Sequence, residues 1–167
     1  MSFRIRPFQK TDFEVLWQID QICFDHQLAY TRPELAIYMR RPGSYTLVAE
    51  SAAGGSPEKG KATPDVLGFI VAEVKRRKGH IVTIDVVPNA RRAGIGSRLL
   101  EAAEEQARSG GATTIELETA VNNLNAIQFY KKKGYFVEST VPGYYSNSLD
   151  ALVMRKDLVP LPATPNS

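Results

Sequence analysis

Along this chain the apolar residues switch repeatedly between two rhythms. Short alternating or near-continuous runs predict strands, and longer stretches at helical spacing predict helices. Phe3 to Pro7 predicts a first strand, and Thr11 with Glu14 three residues later has the form of a capping box that opens a helix running to about Phe24. Thr31, Pro33 and Glu34 open a second, shorter helix, which Pro42-Gly43 stops. Tyr45 to Glu50 predicts a strand, and Val66 to Lys75 and His80 to Val87 predict hairpin partners across a basic turn. Within the latter, Ile81 to Val87 is β-branched and nearly continuous, as expected of a central strand covered on both faces. Ile95, Leu99, Leu100, Ala103 and Ala107 then recur at helical spacing, with Glu101, Glu104, Glu105 and Arg108 on the opposite side. Gly110-Gly111 ends that helix. A buried strand over Thr114 to Thr119, a helix over Asn125 to Lys133 and strands over Tyr135 to Thr140 and Ala151 to Lys156 complete a mixed α/β order without internal repeats.

With 167 residues and 43% hydrophobic content, the chain can bury one substantial core, so a single domain over residues 1–158 is expected. The stretch from Ser51 to Asp65 is too rich in Gly, Ser and Lys to pack a core and reads as a mobile loop. Three prolines in Val159 to Ser167 predict a fraying tail. No apolar run is long enough to cross a bilayer, and the N-terminus enters a strand without the apolar segment of a signal peptide, so no membrane role is expected. The lone cysteine, Cys23, cannot form an internal disulfide, which agrees with a reducing cytoplasm; beside Ile19 and Ile22 it reads as a core thiol. A net charge of +3 is too small to argue for nucleic acid. The basic residues are instead clustered at Arg40-Arg41, Lys75 to Lys78, Arg91-Arg92 and Lys131 to Lys133.

The segment from Val86 to Leu100 changes this picture most. It joins an apolar strand to an amphipathic helix through the turn Arg91-Arg92-Ala93-Gly94-Ile95-Gly96. The first N–H groups of a helix lack intrahelical partners and sit at the positive end of its dipole, so such a junction suits a phosphate. Gly94 and Gly96 carry no side chain to hold a phosphate off the backbone. The pattern lacks both the Gly-x-Gly-x-x-Gly of a dinucleotide site and the Gly-Lys-Ser/Thr of a nucleoside-triphosphate loop, which leaves coenzyme A as the better candidate anion.

At this point the chain resembles the GNAT superfamily of N-acetyltransferases, whose acetyl-CoA motif Arg/Gln-x-x-Gly-x-Gly/Ala is matched in order by Arg91 to Gly96. Leu117 to Tyr135 is similar to the family's second motif, a strand, an Asn-containing turn and a helix ending in Tyr-x-x-x-Gly-Tyr/Phe. The resemblance implies an α/β (α+β) GNAT fold with a mixed sheet of seven strands, four helices and central strands splayed into an acetyl-CoA cleft. It implies that Val86 and Val87 pair through their backbone with the pantetheine arm. It further places Arg91, Arg92, Ala93, Gly94, Ile95, Gly96 and Ser97 around the diphosphate, and Asn123 or Asn125, Tyr130 and Lys132 along the rest of the coenzyme. Tyr130 aligns with the tyrosine that serves as acid for the departing thiolate.

The base is open between two residues and water. Glu118 occupies the position of the proposed general base in ribosomal-protein alanine N-acetyltransferases, and it shares a strand face with Glu116 by alternation. His80 lies where other branches place a glutamate or histidine base, and an imidazole titrates near neutrality. Tyr144-Tyr145 resembles the tyrosine pair that covers the acceptor in N-terminal acetyltransferases, and Tyr30 belongs to the loop expected to form another acceptor wall. That loop, Asp25 to Thr31, departs from the subgroup's usual Trp-Ser entry into the second helix.

Energetics favour an α-amine acceptor. Deprotonating a lysine at pH 7 costs about 4.6 kcal/mol, against about 1.1 kcal/mol for an α-amine. The sequence therefore suggests an acetyl-CoA-dependent enzyme acting on peptide or protein N-termini, monomeric or weakly dimeric and without a metal. A small-molecule amine, a lysine, or a non-catalytic acyl-CoA sensor are the alternatives.

Overall fold

The computed structural model describes residues 2–25, 27–52, 65–146 and 148–158. Most of the expected loop, residues 53–64, and the tail 159–167 lie outside the described residues, as does His26 of the departing segment. The element order is β1 (Phe3–Pro7), α1 (Phe13–Cys23), α2 (Arg32–Arg40), β2 (Ser44–Ser51), β3 (Val66–Lys75), β4 (Lys78–Val86), α3 (Ile95–Ser109), β5 (Thr114–Ala120), α4 (Leu124–Lys132), β6 (Phe136–Val141) and β7 (Ala151–Asp157). The described strands form one seven-stranded sheet in the order β1-β2-β3-β4-β5-β7-β6.

Two apolar layers sandwich this sheet. Leu16, Ile19 and Leu35 of α1 and α2 pack on Val48, Phe69 and Val71 on one face. On the other, Ile95, Leu99, Leu100, Ala103 and Ala107 of α3 and Ile127 and Tyr130 of α4 pack on Ile70, Ala72, Ile81, Ile115 and Leu117. The expected stripe of α3 is thus the face it buries.

The feature that positions the site is a strand separation. β4 runs parallel to β5, but the two pair only from Lys78 to His80 against Thr114 to Glu116. β4 then continues to Val86 and β5 to Ala120 without mutual hydrogen bonds, which opens a wedge toward their C-terminal ends. β5 is held on its other side by β7 over its whole length, from Thr114↔Asp157 to Ala120↔Ala151.

Two local expectations need correction. The Thr11 and Glu14 capping box does not form. A 3-10 turn over Lys10–Asp12 precedes α1, and the backbone N–H of Gln9 donates to Asp12 Oδ2 at 2.8 Å. Arg6 fixes that carboxylate through two bonds of 2.8 and 2.9 Å while also pairing with Glu50 at 2.7 Å, so Asp12 sets the helix start. The β3–β4 turn is tighter than expected. Arg76 and Arg77 take positive φ of 48° and 68°, a two-residue hairpin turn that draws Lys78 and Gly79 into β4. The expectation for β4 holds, since it is covered on both faces. A bulge opposite Val71 and Ala72 puts Val82 with the α1/α2 layer and leaves Ile81 and Ile84 with the α3 layer, which explains the nearly unbroken apolar run.

Candidate active site

The wedge between β4 and β5 continues into a cleft of about 600 Å³. At one end lies the N-terminus of α3. Gly94 caps it with φ of 84° and ψ of 7°, and the helical ladder begins only with the Arg98 N–H donating to Gly94 O at 3.1 Å. The N–H groups of Ile95, Gly96 and Ser97 therefore have no acceptor in the ladder, which is the geometry a diphosphate needs. Gly96 lines the cleft. Ile95 is 1% exposed and contributes its backbone alone, since its side chain anchors α3 in the core. Arg92, Ala93 and Gly94 form the exposed turn.

Arg91 lines the cleft but folds back on the strand, its Nε donating to Val86 O at 3.1 Å. Cys23 also turns toward that carbonyl, Sγ to O 3.4 Å. Cys23 is half-buried, packing against the α1/α2 layer as expected and also lining the cleft, and burial together with the field of Asp85 raises its thiol pKa.

Donor-strand backbone groups divide by alternation. Val87 N–H donates to Leu67 O of β3 at 2.9 Å, so the hydrogen-bonding groups of Asp85 and Val87 face β3 and those of Ile84 and Val86 face the wedge. The backbone groups of Val87, expected along the pantetheine arm, are both engaged within the fold, the carbonyl accepting the Ala90 N–H at 3.0 Å. Ile84, which the sequence reading passed over, lines the cleft together with Val86.

From the α4 side the cleft is lined by Asn123, Asn125, Ala126, Phe129 and Tyr130. Asn123 Oδ1 is already engaged, accepting the Ala126 N–H at 3.2 Å as the N-cap of α4. Tyr130 is 7% exposed; burial, aided by the fields of Asp85 and Tyr145, raises its phenol pKa and keeps it protonated. Lys132 is exposed at the far end of α4 and does not line the cleft.

The opposite mouth is aromatic. Tyr30, Tyr144 and Tyr145 line it, and burial pushes the Tyr145 phenol up to about 12. Tyr30 is fixed by its backbone: its carbonyl accepts from Trp17 Nε1 at 3.0 Å and Gln21 Nε2 at 2.7 Å. Tyr144 and Tyr145 meet edge to face at 4.9 Å. Ser146 Oγ donates to Gln27 O at 2.8 Å, so the β6–β7 loop and the α1–α2 loop are joined over the mouth. Nothing in a local pattern reports that contact.

Glu118 lines the cleft, whereas His80 lies behind it. His80 Nε2 is 2.6 Å from Glu118 Oε2, and on the other side of the ring Nδ1 is 3.5 Å from Glu73 Oε1. Burial acts to lower the imidazole pKa, but the Glu118 bond and the fields of Glu118, Glu73 and Glu116 outweigh it, so the net shift is upward. The structure thus joins the two alternative bases into one hydrogen-bonded unit. Among the described residues no group of His, Cys, Asp and Glu could hold a metal, and no helix is long and apolar enough to cross a membrane.

Comparison with known proteins identifies the family. Residues 13–135 match the Acetyltransferase (GNAT) family. Among curated relatives, the N-terminal acetyltransferase B complex catalytic subunit naa20 of Schizosaccharomyces pombe is 34% identical over 109 residues, 60% of this chain and 61% of that protein. The chain spans half to about three fifths of the length of the first curated relatives it matches. Ard1 from Thermoplasma volcanium superposes with a TM-score of 0.81 at 29% identity, covering 95% of this chain and 99% of that one. The ribosomal-protein-S18-alanine N-acetyltransferase from Escherichia coli shares the fold, with a TM-score of 0.79 at 19% identity over 99% of each chain.

Proposed function

The chain belongs to the GNAT acetyltransferase family, and from that membership we propose that it transfers an acetyl group from acetyl-CoA to the α-amine of a peptide or protein N-terminus. The observation that carries this reading is Glu118: it stands in the cleft between the β4 edge and the tyrosine-lined mouth, with His80 directly behind it. Relatives named as N-terminal acetyltransferases support the choice of acceptor.

The α3 N-terminus, with Gly96 and the N–H groups of Ile95 to Ser97, holds the coenzyme diphosphate. The wedge-facing groups of Ile84 and Val86 hold the pantetheine arm, and the Val86 N–H polarises the thioester carbonyl. An acceptor α-amine enters past Tyr30, Tyr144 and Tyr145. Glu118, directly or through one water, takes a proton from the nitrogen as it bonds to the carbonyl carbon, and His80 shares that proton. The carbon–sulfur bond then breaks, and Tyr130 gives its phenolic proton to the sulfur, leaving the acetylated amine and free coenzyme A. An α-amine suits this machinery because only about 1.1 kcal/mol is needed to free its lone pair at pH 7. The single cysteine fits a reducing cytoplasm as the site of action.

The test is incubation of the purified chain with acetyl-CoA and peptides bearing either a free N-terminus or a blocked one with an internal lysine. Thiol release with the free N-terminus alone supports the reading. Tight coenzyme binding without thiol release for any amine would replace it with a sensor.

A further inference from the structure

Two buried carboxyl groups meet where the donor strand approaches the acceptor wall, and the proposed chemistry uses neither. Asp20, near the end of α1, is 0% exposed and Asp85, on β4, is 1% exposed. Each has one oxygen satisfied. Asp20 Oδ2 accepts the Tyr30 N–H at 2.8 Å, and Asp85 Oδ1 accepts the Thr83 hydroxyl at 2.7 Å. Each also has one buried oxygen, Asp20 Oδ1 and Asp85 Oδ2, that receives no hydrogen bond from any N–H or from a Ser, Thr or Tyr O–H among the described residues. The two side chains lie within hydrogen-bonding reach of each other.

Two ionised carboxylates cannot share such a place, because each would be desolvated and repelled by the other. A single proton between them satisfies both open oxygens at once. We propose that Asp20 and Asp85 share one proton and so latch the acceptor wall, through the Tyr30 backbone, onto donor strand β4. The kinetic consequence rests on the acetyl-transfer reading, but the proton does not.

The surroundings agree with a neutral acid at this point. Burial, and then the other carboxyl, raise the Asp85 pKa well above the ordinary carboxylate range, and burial raises Asp20 as well, with the field of Glu34 from α2 adding to it. Cys23 of α1, Tyr30 of the wall and Tyr130 of α4 are each shifted upward by burial and stay uncharged near neutrality. Arg91 is the cation facing the pair, and its field opposes the rise at Asp85.

The sign of the linkage is fixed by these directions. The folded chain holds the proton to higher pH than the unfolded chain, so stability falls as pH rises from about 4, the unfolded carboxyl value, through the folded-state value. Asp85→Asn supplies an amide N–H to Asp20 Oδ1 and keeps an acceptor for Thr83, so its latch needs no proton. The measurement is Tm against pH for the wild type, Asp85→Asn and, as an independent variant, Asp20→Asn. The expected result is a variant-minus-wild-type Tm that climbs by roughly 3–5 °C per pH unit over that window. With a peptide acceptor, the wild-type KM relative to that of Asp85→Asn stays level until pH reaches the folded-state value and climbs as pH passes it, where the latch loses its proton and the wall loosens. Parallel Tm profiles would overturn the shared proton, as would loss of folding in both variants, since each preserves every hydrogen bond of the latch. The Tm readout uses no substrate, so a chain that acetylates nothing yet shows the climbing difference would refute the proposed function and leave the latch standing.

Discussion

His80 Nε2 sits 2.6 Å from Glu118 Oε2, with the carboxylate at the cleft and the imidazole behind it. Because the folded-state imidazole pKa is raised, the protonated pair stabilises the fold fully below the unfolded value of about 6.5, and that stabilisation is lost as pH rises through the folded value. His80→Gln removes it. The Tm advantage of the wild type over His80→Gln is therefore expected to be largest near pH 6 and to shrink toward pH 9. An advantage that is constant across this range would show that the pair carries no linked proton.

The same pairing shapes the rate profile. An imidazolium has no lone pair to take up the proton that Glu118 removes from the amine, so turnover of an α-amine peptide rises as His80 releases its proton. In His80→Gln the profile keeps the ionisation of the amine and loses that of the imidazole. Comparing kcat/KM from pH 6 to 9 for the two proteins checks this.

Glu118→Gln leaves the cleft shape intact and removes the proton acceptor. Turnover is expected to fall about a hundredfold or more, within the range of general base catalysis, with coenzyme affinity unchanged by calorimetry. Retention of the full rate from pH 6 to 9 would move the base to His80 or to water.

At the sulfur end, Tyr130→Phe keeps the ring that packs against Phe129 and Tyr135 at 5.2 and 5.6 Å and deletes only the hydroxyl. A roughly tenfold to hundredfold loss of kcat with little change in coenzyme Kd is expected. An unchanged kcat would take Tyr130 out of the mechanism.

Much of the fold was legible in the sequence because local chemistry and tertiary role coincide there. The α3 stripe is apolar at helical spacing and is what α3 buries; Thr31 caps α2 by accepting the Glu34 N–H at 3.3 Å. The β4 start was missed because Gly79 reads as a turn residue. In the sheet, a Cβ at Gly79 would stand 3.1 Å from Ile115 Cγ1, so the glycine serves the close approach of β4 and β5. The Gln9 and Asp12 start of α1 depends on Arg6, which only the sheet brings near. In the candidate site, Glu118 and His80 were separately visible, but their contact across strands was not. Asp85 left one signal, a lone carboxylate in an otherwise Ile, Val and Thr run, whose meaning depends on Asp20 lying opposite.

Gly94→Ala tests the helix entry. Its φ of 84° is unfavourable for a residue with a Cβ by roughly 1–2 kcal/mol, although the Cβ itself would meet no atom within 4 Å. The expected effect is a Tm drop of roughly 2–8 °C together with weaker coenzyme binding as the turn shifts. A large Tm loss with unaltered coenzyme affinity would separate the turn from the proposed diphosphate site.

The central claim is that this cleft delivers an acetyl group to an α-amine. Mass spectrometry of a proteome-derived peptide pool, after incubation with the purified chain and acetyl-CoA, measures it directly. The account predicts acetyl groups on N-terminal nitrogens, lost with Glu118→Gln. Acetylation confined to lysine side chains, or none in a protein that binds coenzyme A, would contradict it.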